Sequence, residues 1–267
     1  MDFFNDCRNI SDDITIAMKP LIGTRKGGKV VGMGADGTPT TYIDKVAEDI
    51  ILAYLHEIEA NVIVISEEAG IVEITPGAED IIYLDPIDGT FNALSNIPIY
   101  ALSVAYASKG TVIHGFVSNL ATGEIFTAHK GRGATKDGKS MNTSNITNLH
   151  EASCAVYTSQ KEEEIKEMAP FFSSIRRTRH FGASALELAY VAAGRLDAYI
   201  DIRETLRITD AAAGLLLCTE AGGIVSSPDG NVLSFPDTIQ SGASIIASND
   251  YLHDKIIGVI AQNGEEK

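Results

Sequence analysis

The run Ile81-Ile82-Tyr83-Leu84 passes without a spacer into Asp85-Pro86-Ile87-Asp88-Gly89-Thr90. Four apolar, strand-favouring residues predict a buried strand over 81–84. Two carboxylates three residues apart at its end must then lie where a core opens to solvent, and their charge needs a partner. Pro86 biases Asp85 toward extended backbone. Gly89 permits a tight turn and close approach to a ligand, and Thr90 is placed to cap the next element. Eighteen residues before Asp85, the pair Glu67-Glu68 ends a second apolar run over 62–65. Acids at the ends of adjacent strands would converge on one point. A further acid stands in Arg207-Ile208-Thr209-Asp210-Ala211-Ala212-Ala213-Gly214, where Thr209 or Asp210 would also cap a helix. Clustered carboxylates repel one another and take up protons unless a cation joins them, and hard oxygen ligands suit Mg²⁺ or Mn²⁺. Asp-Pro-x-Asp-Gly is also an ordinary turn signal, but a bare turn leaves the preceding strand and the Glu pair unexplained.

The rest of the chain supplies both kinds of element. Ile43, Val46, Ala47, Ile50, Ile51, Tyr54 and Ile58 recur at helical spacing and predict a helix over 42–60. Asp44, Lys45, Glu48, Asp49 and Glu57 occupy its other face. Strands are predicted over 99–107, 111–119 and 124–129, with a loop after them over 131–142. Helices are predicted over 184–193 and 209–221, the latter stopped by Gly222-Gly223, with strands over 198–202 and 244–247. The expectation is a single domain over 1–267, with an α+β lobe about 1–140 and an α/β lobe about 141–267. With 36 acidic against 21 basic residues the formal charge is −15, so neither nucleic acid nor an anionic membrane is an expected partner. Cys7, Cys154 and Cys218 are far apart, odd in number and lack C-x-x-C spacing. Together with an opening Met1-Asp2-Phe3-Phe4 that is no basic leader, they predict a cytoplasmic protein.

Taken in order, Glu67-Glu68, then Asp85-Pro86-Ile87-Asp88-Gly89-Thr90, then Asp210-Ala211-Ala212-Ala213-Gly214 resemble the signatures of the inositol monophosphatase superfamily. These are Mg²⁺-dependent, lithium-sensitive phosphatases of small phosphorylated metabolites. The resemblance implies a layered αβαβα sandwich and a homodimer. It implies two or three Mg²⁺ ions per site, with Mn²⁺ as a substitute. Glu67 and Asp85, with the carbonyl of Ile87, would hold one ion; Asp85, Asp88 and Asp210 would hold a second. The ions would activate a water and clamp the attacking and leaving oxygens. Asp44 and Thr90, with Glu67, would supply catalysis on that water, and the Gly89 and Thr90 amides would hold the phosphate.

For the remainder of the substrate, the resemblance points to Gly182-Ala183-Ser184 beside the ring and to Asp201 on a hydroxyl, where family members commonly carry Glu. The segment from Asp201 through Arg203 to Arg207 looks like the archaeal branch, whose members often take both inositol 1-phosphate and fructose 1,6-bisphosphate. A second phosphate needs a cation, so Arg203, Arg207 and, more weakly, Arg179 are its candidates. Phosphatases of 3′-phosphoadenosine compounds or of NADP share these motifs and stand as alternatives. So does a dinucleotide-binding oxidoreductase, because Gly32-Met33-Gly34-Ala35-Asp36-Gly37 satisfies G-x-G-x-x-G. The loop residues Thr38-Pro39-Thr40-Thr41 stand where its helix should begin, and the resemblance makes this stretch a mobile segment over the metals instead.

Overall fold

The computed structural model describes residues 1–159, 161–233, 235 and 242–261, so the last six residues of the predicted domain lie outside it. Helix α1 (Phe3–Met18) leads to the hairpin β1 (Val30–Met33) and β2 (Pro39–Thr41), then α2 (Tyr42–Glu57). Next come β3 (Ile63–Ser66), β4 (Gly70–Glu73), β5 (Ile81–Asp88) and the short α3 (Thr90–Leu94). A meander comes after these: β6 (Ala101–Ser108), β7 (Thr111–Asn119), β8 (Ile125–His129), β9 (Gly133–Lys136) and β10 (Lys139–Ser140). The second half holds β11 (Ser153–Tyr157), α4 (Glu162–Ser174), β12 (Arg177–Arg179), α5 (Ser184–Ala192) and β13 (Ala198–Leu206). It closes with α6 (Ile208–Glu220), β14 (Gly223–Ser226), β15 (Ala243–Asn249) and α7 (His253–Ala261).

Two sheets organise these elements. One has eight strands in the order β10-β9-β8-β7-β6-β5-β3-β4, the other five in the order β12-β11-β13-β15-β14. Ile14, Ile43 and Ile51 of α1 and α2 pack on Val64, Leu84 and Phe116 of the first sheet. Leu186, Leu188 and Leu217 of α5 and α6 lie between Val117 and Phe126 on one side and Tyr199 and Ile245 on the other. Met168, Phe171 and Ile256 of α4 and α7 cover Val156 and Ile200 on the far face of the second sheet. The result is the expected layered sandwich of helices, sheet, helices, sheet and helices.

Several local expectations are revised. The stretch 131–142 is not a loop: β9 pairs antiparallel with β8, and β10 with β9. Both are short and each carries a Lys, which blunts the sheet edge at β10 and masks a strand in the sequence. Asp44 and Glu48 do not face solvent; they are 4% and 3% exposed. Each is buried because it accepts hydrogen bonds. Asp44 closes a capping box with Thr41, while Glu48 accepts from the Ser66 hydroxyl (2.6 Å) and the Ala69 amide (2.8 Å). The G-x-G-x-x-G stretch starts no helix. It is the tip of the β1–β2 hairpin, in which Gly32 pairs with Thr40 and Met33 with Pro39. That geometry removes the dinucleotide-binding reading. Thr90 and Asp210 are not caps either: Gly89 and Arg207 stand at the N-cap positions of α3 and α6.

Candidate active site

Strands β3 and β5 run parallel with Ser66 opposite Leu84. Glu67, just past the end of β3, and Asp85, within β5, therefore stand side by side at the same level. Asp210 meets them from the first turn of α6. Carboxylate oxygens of Glu67, Asp85 and Asp210 all lie within 4.8 Å of one another. Asp85 is 3% exposed and Asp210 8%. Burial first, and then the neighbouring acids, push the Glu67 and Asp85 carboxyls well above the usual carboxylate range. Burial also raises Asp210, against the pull of Arg207. Three hard oxygen donors and an excess of negative charge are the donor set that a divalent cation fits.

The other expected residues surround this cluster. The Asp85 carboxylate accepts from the Ile87 amide (2.9 Å), across the register shift between Asp85 and Asp88 in the pairing of β5 with β6. The Thr90 hydroxyl donates to Asp44 (2.7 Å) and lies 3.0 Å from the Ile87 carbonyl. Burial raises Asp44, opposed by its bonds to Thr41 and Thr90. Asp88 is turned toward α5, where its carboxylate accepts from the amides of Ser184 (3.0 Å) and Ala185 (2.7 Å). Burial, with Asp210 nearby, still pushes its carboxyl up to about 8. Gly89 has φ +91°, and a Cβ there would meet the Ile99 carbonyl at 2.9 Å and the Gly182 carbonyl at 3.1 Å. The turn 182–184 thus rests directly on the glycine beside the acids. Gly89→Ala should cost about 2–4 kcal/mol from strain and overpacking, read as a fall in the thermal midpoint. An unchanged midpoint would show that the turn yields freely.

Two of the three arginines expected on a second phosphate are engaged by carboxylates. Arg203 grips the fully buried Asp201 through Nε (3.0 Å) and Nη2 (2.6 Å), so Asp201 is not free for a hydroxyl. Arg207 sits in the acid cluster. It pairs with Asp36, with Glu67 (2.7 Å) and with Asp210 (3.2 Å). Arg179 donates to the neighbouring Thr178 carbonyl (2.9 Å). Asp36 is the site residue that sequence reasoning misses. Its amide donates to the Glu67 carbonyl (3.2 Å) and that of Ala35 to the Glu68 carbonyl (3.0 Å). The hairpin tip is therefore fastened to the Glu67-Glu68 turn. The only signal for it is an acid inside a Gly-rich motif.

Residues 14–265 match the family model described as "Inositol monophosphatase family". The chain belongs to the inositol monophosphatase family, and it is a phosphatase of that family. The protein named fructose-1,6-bisphosphatase/inositol-1-monophosphatase of Methanothermobacter thermautotrophicus is 38% identical over 261 residues, covering 93% of this chain and 92% of its own. The bifunctional NADP phosphatase/NAD kinase of Methanococcus maripaludis is 38% identical across 97% of this chain, which spans 49% of that protein. A solved structure titled as an inositol monophosphatase-fructose 1,6-bisphosphatase superposes with a TM-score of 0.87 at 29% identity, over 98% of this chain and 100% of that one. Among the described residues no helix is long and apolar enough to cross a membrane.

Proposed function

We propose that the chain is a Mg²⁺-dependent phosphatase of small polyol and sugar phosphates, inositol 1-phosphate and fructose 1,6-bisphosphate among them. The observation that carries this is the convergence of Glu67, Asp85 and Asp210 within 4.8 Å, next to the Thr90–Asp44 hydrogen bond. Glu67, Asp85 and Asp210 would hold the metal ions, with the Ile87 carbonyl and Asp88 at the border of the site. Bound there, a divalent ion supplies Lewis acidity toward the phosphoryl oxygens and lowers the pKa of water.

The protein's own groups do the rest. The Thr90 hydroxyl donates a hydrogen bond to Asp44, which leaves its oxygen lone pairs to accept one from an attacking water. Asp44, buried at the start of α2, is held in that orientation by the Thr41 hydroxyl (2.6 Å) and amide (3.1 Å). The Gly89 and Thr90 amides would take the phosphate at the turn into α3. Water would attack phosphorus directly as the ester P–O bond breaks, one of its protons passing to the departing alkoxide and the other staying on the phosphate, so no phosphoenzyme forms. The three cysteines are free and buried, in keeping with a cytoplasmic enzyme. A homodimer and inhibition by lithium are the family's expectation for this chain.

A second reading has its own support. Relatives named NADP phosphatase match nearly the whole chain, and Arg203 and Arg207 are both spent on carboxylates. The deciding experiment is phosphate release from inositol 1-phosphate, fructose 1,6-bisphosphate, NADP and 3′-phosphoadenosine 5′-phosphate, with Mg²⁺ and with EDTA. Mg²⁺-dependent release from the first two is expected. Release from the nucleotides alone would establish the second reading, and release from none would overturn both.

A further inference from the structure

The turn between β12 and α5 is held by a buried pair that none of the sequence motifs contains. Tyr157 closes β11 and is 3% exposed; Glu187, in the first turn of α5, is fully buried. The Tyr157 hydroxyl donates to Glu187 Oε2. The Tyr157 oxygen in turn accepts from the Gly182 amide (2.9 Å), and Glu187 Oε1 accepts from the Phe181 amide (2.9 Å). Two consecutive amides of the turn are thus bound by one two-residue unit. From the other side, the Asn92 amide group donates to the Phe181 carbonyl (2.6 Å) and the Ile99 carbonyl (2.8 Å). Gly182 has φ +75° and is exposed, and its carbonyl faces Gly89. One face of the turn is therefore pinned from below while the other lies against Gly89 and Asp88.

The ring of Tyr157 organises the rim as well. The Arg203 guanidinium lies 4.6 Å from its centroid, and His180 meets it edge-on at 4.1 Å. Asp201 grips Arg203 with two bonds, so this cation is set by the ring and by a buried acid together. Whatever lies against residues 181–184 and Arg203 meets surfaces aligned by Tyr157.

We infer that Tyr157 and Glu187 are positioning residues that set the substrate-facing turn 181–184, and so govern how the part of the substrate beyond the reacting phosphate is held. The inference rests on the phosphatase reading for its kinetic arm only. Groups that shape ground-state contact away from the reacting atoms move KM more than kcat.

Tyr157→Phe keeps the ring and its stacking but removes the oxygen that receives the Gly182 amide. Its KM for inositol 1-phosphate should rise about tenfold, the effect of one lost buried hydrogen bond, with kcat within about twofold of the parent. Glu187→Gln keeps an oxygen for the Phe181 amide and leaves the Tyr157 oxygen for Gly182. It should hold KM within about threefold of the parent. An unaltered KM in Tyr157→Phe, or an equal rise in Glu187→Gln, would overturn the assignment.

Amide hydrogen exchange on the wild-type chain gives a readout independent of turnover. The Phe181 and Gly182 amides should be protected nearly as well as the core of β11. Fast exchange at both would refute the inference even if Tyr157→Phe failed to fold. If wild type releases no phosphate from any of the esters, the phosphatase reading fails while the exchange result still decides this one.

Discussion

Asp85→Asn should lower turnover by at least about a thousandfold and leave the fold intact. The substitution is nearly isosteric, and Asn retains the Oδ1 that accepts from the Ile87 amide. What it removes is one charge from a buried cluster in which Glu67, Asp210 and Asp88 already repel it. A neutral side chain is therefore no worse for folding at this position, and the thermal midpoint measured in EDTA should stay level or rise by a few degrees. Function moves the other way. If the cluster holds the ion that stabilises charge on the phosphoryl group, losing a charged ligand forfeits several kcal/mol, or about three powers of ten in rate. Asp210→Asn should behave alike, although it also weakens the Arg207 pair. Phosphate release and a thermal melt of the same preparation separate the two effects. Activity within tenfold of the parent would deny the cluster its metal role. A midpoint lowered by ten degrees or more would make it a structural ion network instead.

These acids are legible in the sequence because their neighbours mark them. Asp85 and Asp88 stand between an apolar strand and a glycine that only a sharp turn explains, and Glu67 comes after a second strand that pairs with the first. The helix over 42–60 is equally plain, and α2 ends only three residues short of it. What the pattern misjudges is which polar residues face inward. Asp44 and Glu48 fall on the charged arc of the helix, and a helical period carries no information on whether an acid there meets water or the donors of another segment. Their partners, Thr90, Ser66 and the Ala69 amide, lie between 18 and 46 residues away. The Tyr157–Glu187 pair is invisible for the same reason, being 30 residues apart on a strand and a helix. Arg207 reads as a free cation because its partners Asp36 and Glu67 are distant in sequence. Only the hairpin bend and the β3 turn bring them together.

Arg207→Gln should destabilise the protein by about 3 kcal/mol, roughly 5–10 °C in the thermal midpoint for a chain of this size. Arg207 is 19% exposed, and its guanidinium is shared among Asp36, Glu67 and Asp210, whose side chains are 1%, 16% and 11% exposed. Those acids surround the guanidinium closely, which holds its pKa far above the ordinary arginine value despite burial. Removing it leaves three poorly solvated carboxylates facing one another and cuts the side-chain tie between the hairpin tip and the acid cluster. Proteolysis within residues 34–38 should therefore accelerate in the variant. Arg207→Lys preserves the charge but not the fork that reaches three partners, and should fall between the two. Asp36→Asn removes only the hairpin's share and should cost less than Arg207→Gln. A cation that instead served a second phosphate would give the opposite pattern. The midpoint would hold, inositol 1-phosphate would be hydrolysed normally, and only the KM for fructose 1,6-bisphosphate would rise. Melting and the two-substrate comparison on the same variant therefore decide whether this arginine belongs to the acids or to the substrate.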